Sequence, residues 1–236
     1  MRNQMRTFIS PVAAAFIVAI GVVVPARAQI KGPVAPALTP DQIALSKSLA
    51  ARHNQADAKE QRRLETFKDR PLAAIIQRSF DIYTNYLGLA AEMMPESAYE
   101  FRPTPELRDF GDQINHASST QYSFCNQTGL PPGVERQMMP KPAPTSKAAI
   151  IEAFTQSTAY CDRVLAAAQE SWLMEIVPAV GGPSSGQIKG SRAHIFIYNI
   201  VHTGEDYGVI TTYLRMQGIM PPSSALDERP GRSGAW

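Results

Sequence analysis

The chain has 236 residues, with 23 Lys and Arg against 21 Asp and Glu, for a formal net charge of +2. At 44% hydrophobic and 19% charged it carries enough apolar material for a core, which excludes a disordered polymer. No Lys/Arg run makes the dense basic face of a nucleic-acid binder, and two cysteines cannot build a stapled miniprotein or a Cys-rich zinc site.

The amino end reads as a targeting segment. Met1–Thr7 carries Arg2 and Arg6 with no acid, Phe8–Val24 is almost wholly apolar, and Pro25-Ala26-Arg27-Ala28 ends in an Ala-x-Ala pattern. Those three features predict a secretory signal cleaved after Ala28, and hence an exported, periplasmic protein that meets the membrane only through this segment. An uncleaved anchor is the rival reading. The apolar run of 17 residues sits at the lower limit for a bilayer span, which needs about 20. In an oxidising compartment Cys125 and Cys161 are expected to pair, the alternative being two separate buried thiols.

Three prolines and a glycine make residues 29–40 a flexible lead. Thr39-Pro40-Asp41 then opens a weakly amphipathic helix to about Phe67. The stronger elements follow. Pro71–Met94 places Ile75, Ile76, Phe80, Tyr83, Leu87, Ala90 and Met94 at three- and four-residue spacing, and Pro95 stops this first helix. A second helix is expected from about Glu106 to Asn126. Residues 126–146 hold five prolines and two glycines and form a long irregular link. Thr145 or Ser146 caps a third helix to about Glu175. Residues 177–190, with four glycines and two prolines, read as a loop, and no strand is expected anywhere. Ser191 caps a fourth helix from Arg192 to about Met216, ended by Gly218 and Pro221-Pro222.

This pattern predicts an all-α fold: a four-helix bundle with a long crossover between helices 2 and 3, preceded by a signal segment and an extra leading helix. The expected boundaries are 1–28, 29–69, 70–224 for the bundle and 225–236 for a loose tail. The long crossover lets helices 2 and 3 run in the same direction, which brings Cys125 and Cys161 to comparable heights.

Helix 4 carries the chemistry. At roughly 100° per residue, Asp206 falls about 40° from His202, with Ile195, Val209, Tyr213 and Ile210 around them, so the pair sits in the apolar stripe. An imidazole and a carboxylate in that position must be paired, hydrogen-bonded or bound to a metal. One turn apart, they can hold a divalent cation, or they can simply bond to each other. Glu205, at the stripe's edge, is expected to be solvated. A third ligand would come from another helix. His53 reads as exposed and His194 as a cap-region residue. His116 flanks the apolar face of helix 2 and reads either as half-exposed or as that third ligand. Tyr213, two turns beyond Asp206 on the same face, is a candidate pocket residue. No Gly-x-Ser-x-Gly, phosphate loop, dinucleotide glycine fingerprint or His-Glu-x-x-His is present.

Helix 4 and its exit, RAHIFIYNIVHTGEDYGVITTYLRMQGIMPPSS, resemble the closing segment of the DinB-like family of bacterial four-helix bundles. AAEMMPESAYEFRPTPELRDFGDQINHASSTQYSFC and AYCD are similar to its first three helices, so the resemblance spans roughly residues 71–224. It implies a homodimeric bundle with a divalent metal, zinc or nickel, held by one His of helix 2 and two of helix 4. His116 and His202 match two of those ligands, and Asp206 stands where the third His is expected. The resemblance further implies activation of a thiol or water for transfer or hydrolysis of an unidentified small molecule. A non-catalytic periplasmic bundle, binding a ligand or partner through a degenerate site, is the other reading.

Overall fold

A computed structural model describes residues 65, 67–180 and 188–225. The predicted signal, the flexible lead, nearly all of the leading helix with His53, and residues 226–236 lie outside the described residues. Four long helices dominate: α1 (Pro71–Met93), α2 (Phe110–Gln127), α3 (Lys147–Ala167) and α5 (Arg192–Met216). Two short ones, α4 (Glu170–Met174) and α6 (Pro222–Ala225), a single 3-10 turn at Glu96–Ala98, and a hairpin of β1 (Ile176–Val180) with β2 (Ile188–Ser191) complete the described elements. The all-α bundle with a crossover is the fold. Among the described residues no helix is long and apolar enough to cross a membrane.

The sequence explains where most helices begin. Pro71 takes the first position of α1, where a missing N–H is harmless. Asp109 caps α2 by accepting from Asp112 N–H, so this helix starts at Phe110 rather than at Glu106. Ser146 caps α3 and Ser191 caps α5 in the same way. The third helix is shorter than expected, ending at Ala167 instead of near Glu175. Arg70 donates to the Ala166 and Ala168 carbonyls at the break, and Glu170 accepts from the Leu72 and Ala73 N–H groups. The break therefore puts a carboxylate on the otherwise uncapped start of α1.

The stretch 177–190 is also not a plain loop. Ile176 pairs with Ser191, Val177 with Gly190 and Val180 with Ile188, antiparallel. Branched residues on both sides of a Gly/Pro-rich centre carry that hairpin signal, which the helical reading passed over. On α1, Ile75 turns outward, 65% exposed, because Ala73, Ile76, Phe80 and Leu87 fill the buried face.

Side-chain contacts fix the helix directions. Gly111, Gln121 and Cys125 of α2 meet Ile150, Ser157 and Cys161 of α3 in the same order, so these two run parallel. Tyr83 and Tyr86 of α1 meet Gly204 and Tyr207 of α5, again parallel. Against α3, α1 runs antiparallel: Gln77 reaches Asp162, and Lys147 reaches the Glu92 and Met94 carbonyls. The fourth seam, α2 against α5, is antiparallel too, with Asn199 beside Cys125 and Tyr213 bonded to the Arg108 carbonyl. The helices thus form a ring in the order α1, α5, α2, α3.

The core is built in two apolar clusters. One gathers Phe80, Tyr160, Val164, Phe196 and the cysteines; the other gathers Leu87, Phe110, Ile114, Phe154, Ile210 and Tyr213. Between them lies a layer of buried polar side chains, including Thr84, Ser118, Gln121, Ser157, Asn199 and Thr203. Cys125 and Cys161 are joined in a disulfide, with Cα atoms 5.6 Å apart. Closing a loop across 36 residues, this bridge restrains the unfolded chain by about 3–4 kcal/mol. Replacing both cysteines by alanine should lower the unfolding free energy from urea titration by that amount while circular dichroism stays helical. A loss under about 1 kcal/mol would show that the bridge does not restrain the unfolded state.

Candidate metal centre

The seam between α2 and α5 collects His116, His202 and Asp206, and adds Gln113. Gln113 and His116 are three residues apart on α2, and His202 and Asp206 four apart on α5, so each pair shares a helix face. The antiparallel packing lays one face on the other. The buried face of α5 is broader than the sequence suggested. It packs on α1 as well as α2, so Phe196, Ile200, Tyr207 and Leu214 widen it on one side, while Val209 is 36% exposed. Its centre lies nearer Thr203 and Ile210. His202 consequently sits on the rim, its side chain 25% exposed, whereas Asp206 is only 4% exposed. His116 faces it from α2 at the same 25%.

The two imidazoles meet at 3.1 Å, Nε2 to Nε2. His116 Nε2 is 4.0 Å from Asp206 Oδ1, and His202 Nε2 is 4.0 Å from Asp206 Oδ2. Gln113 Nε2 donates to Asp206 Oδ1 at 2.7 Å, a buried bond that holds the carboxylate in place. The other carboxylate oxygen, Oδ2, is buried with no hydrogen-bond partner. Glu205 is exposed, as expected, yet its Oε2 lies 3.5 Å from His202 Nδ1. That contact favours the proton on Nδ1 and leaves the Nε2 lone pair facing the cluster.

The electrostatics match this picture. Burial, helped by the Arg108 guanidinium and by His202, pushes the His116 pKa down to about 4, so the ring is neutral near pH 7. Burial pushes Asp206 up to about 6; His202, Arg108 and the Gln113 hydrogen bond oppose that rise without cancelling it. A neutral imidazole and a destabilised carboxylate are both ready to accept a cation.

Three donor atoms, one each from His116, His202 and Asp206, lie within 4.8 Å of one another. The 3.1 Å between the imidazole nitrogens is inside the reach of an ion about 2.1 Å from each ligand. Each nitrogen lies 4.0 Å from one oxygen of the same carboxylate, so a small side-chain adjustment gathers one atom of each residue around a single ion. The residues fit a divalent ion. His194 is exposed in the first turn of α5 and stands apart from this group, and the Tyr213 hydroxyl is bonded to the Arg108 carbonyl. Two contributors escaped the sequence reading. Gln113 shares a helical face with His116 but carries no charge to single it out, and Arg108, expected in the first turn of the second helix, lies ahead of it in the structure.

No protein-family model matches the sequence, and no curated protein matches it significantly. In three dimensions the chain is similar to a DinB-like protein from Bacillus cereus ATCC 10987, with a TM-score of 0.50 and 16% identity. The match covers 62% of this chain and 93% of that one. The fold is DinB-like. At that identity the likeness extends to the fold alone, and the centre stands on its own geometry.

The two shifted groups act on stability with opposite sign. Asp206, raised from 3.8 to about 6, holds its proton more tightly in the folded state, so its contribution is lost as pH rises from about 4 to 6. His116, lowered from 6.5 to about 4, contributes stability that is lost as pH falls through that range. In chelator-treated protein, Asp206→Asn should therefore be stabilising at pH 8, where the native carboxylate is ionised. The gain should shrink as pH falls below 6. Thermal melts across pH 4–8 test this, and a pH-independent difference would contradict the burial of an ionised carboxylate.

Proposed function

We propose that the chain is an exported DinB-like metalloprotein in which His116, His202 and Asp206 hold a divalent ion, zinc or nickel. The observation that carries this reading is the buried carboxylate of Asp206, whose unpartnered Oδ2 lies 4.0 Å from His202 Nε2 and whose Oδ1 lies 4.0 Å from His116 Nε2. A buried carboxylate oxygen without a donor is costly, and a cation relieves that cost directly. Export is supported by the basic, apolar and Ala-x-Ala succession at the amino end, and by a disulfide of the kind that persists in oxidising compartments. When bound, such an ion supplies Lewis acidity toward a thiol or water in a position left open by three protein ligands.

The chain's own residues have definite parts. Asp206 supplies the negative charge, Gln113 fixes its orientation, and Glu205 holds the His202 ring by its far nitrogen. The apolar cluster of Phe110, Ile114, Tyr207 and Ile210 keeps water away from one side. The half-exposed edges of His116 and His202 leave the other side open to a small molecule. The 3.1 Å contact between the imidazoles favours a second reading, a non-catalytic bundle in which the three side chains form a hydrogen-bonded patch.

Elemental analysis of the purified protein, before and after chelation, separates the two. The metalloprotein reading expects about one divalent ion per chain, lost in His202→Ala with the helical spectrum intact. The other expects no stoichiometric metal in either protein, and a stability loss of about 1–3 kcal/mol in His202→Ala. Equal metal content in the variant and the native chain would overturn the proposed ligand set.

A further inference from the structure

We propose that a groove beside His116 is a subsite for an anionic small molecule, one bearing a carboxylate or phosphate group together with an N–H or O–H donor. Its role as a substrate subsite rests on the metal-centre reading above, but its affinity for anions rests on other residues. The groove, ≈ 490 Å³, lies between α2 and the crossover, and its walls include Arg108, Asn115, His116, Ser119, Met139 and Lys141. One end is therefore the outer edge of the candidate centre.

Charge selects the ligand class. Arg108 and Lys141 line the groove against a single acid, Asp112, which sits 4.0 Å from Arg102. No carboxylate among the described residues pairs with Arg108 or Lys141. Arg108 lines the groove beside His116, and its charge is felt at both His116 and Asp206. A planar guanidinium without a partner matches the oxygens of a carboxylate or phosphate, and an ammonium nearby adds charge without geometry.

Asn115 adds a second criterion. Its Nδ2 donates to the Pro144 carbonyl at 2.8 Å, which fixes the amide against the crossover. Its Oδ1 is buried and has no donor. An occupant carrying an N–H or O–H group satisfies that oxygen, while one with acceptors alone does not. Met139 offers the apolar contact in between.

The test is an NMR titration of the purified chain, at low salt, with three probes: N-acetylglycine, glycerol 1-phosphate and the neutral N-acetylglycinamide. The amide signals of Asn115 and Ser119 should shift saturably with one or both acids, and not with the neutral amide. The responding acid identifies carboxylate or phosphate as the preferred group. The double variant Arg108→Gln/Lys141→Gln should weaken binding about tenfold or more, with metal content unchanged. Equal response to the neutral amide, undiminished binding by the double variant, or no response to either acid would overturn the proposal. Metal content measured on the same samples keeps the two readings apart. A metal-free chain that binds acids through Arg108 and Lys141 removes the metal centre and keeps the anion subsite, whereas a metal-loaded chain indifferent to acids does the reverse.

Discussion

A carboxylate with one oxygen buried and unpartnered is difficult to hold inside a helical bundle, and the seam between α2 and α5 is organised around that constraint. Asp206 has little access to solvent, because it is 4% exposed on the face of α5 that packs against the first turn of α2. One oxygen is fixed by Gln113. The second is left without a donor, 4.0 Å from the His202 imidazole. In a medium of low effective dielectric the same attraction that would be trivial in water becomes large enough to specify what enters. The shifts on Asp206 and His116 are two consequences of this one environment, since burial disfavours charge on both.

That seam exists only because of the crossover. A short link between α2 and α3 would have made them antiparallel neighbours and reversed the heights of every residue on one of them. With the long link the two helices run together, tied by the disulfide and by the bond from Ser157 to Gln121. α5 then closes against α2 in the opposite sense, so that Gln113 meets Asp206 and His116 meets His202. The same crossover returns over α2 and supplies Met139 and Lys141 to the groove. One topological feature therefore positions the disulfide, the centre and its approach.

How much of this could be read beforehand follows from which interactions are local. Helical periodicity, proline stops and Ser or Asp caps are properties of short stretches, so the long helices and the pairing of His202 with Asp206 were legible. So was the parallel course of α2 and α3, because a link of that length and composition has few other uses. The hairpin was not: two short branched segments flanking a Gly/Pro-rich stretch give little periodicity to count. The break after Ala167 was also hidden, since it depends on Arg70 and Glu170 bridging nearly a hundred residues of sequence. The rim position of His202 was misjudged because the apolar face of α5 serves two neighbours, and a helical wheel cannot say how many partners a helix has. Arg108 and Asn115 acquire meaning only when the crossover folds back.

The departure at position 206 also bears on how the centre and the groove can coexist. Three neutral imidazoles around a divalent ion would leave its full charge of two beside the Arg108 guanidinium. A carboxylate among the ligands halves that charge, which lowers the repulsion on Arg108 in the same proportion at a given distance and dielectric. Arg108 in turn steadies the ionised form of Asp206, whose pKa it pulls down. The acid in the ligand set and the base at its edge are thus mutually stabilising, and each makes the other tolerable in a half-buried site. An incoming anion that meets Arg108 would weaken that support and leave Asp206 more dependent on its cation. If both sites are occupied as proposed, they share the Arg108 guanidinium, and occupying one then changes the free energy of occupying the other.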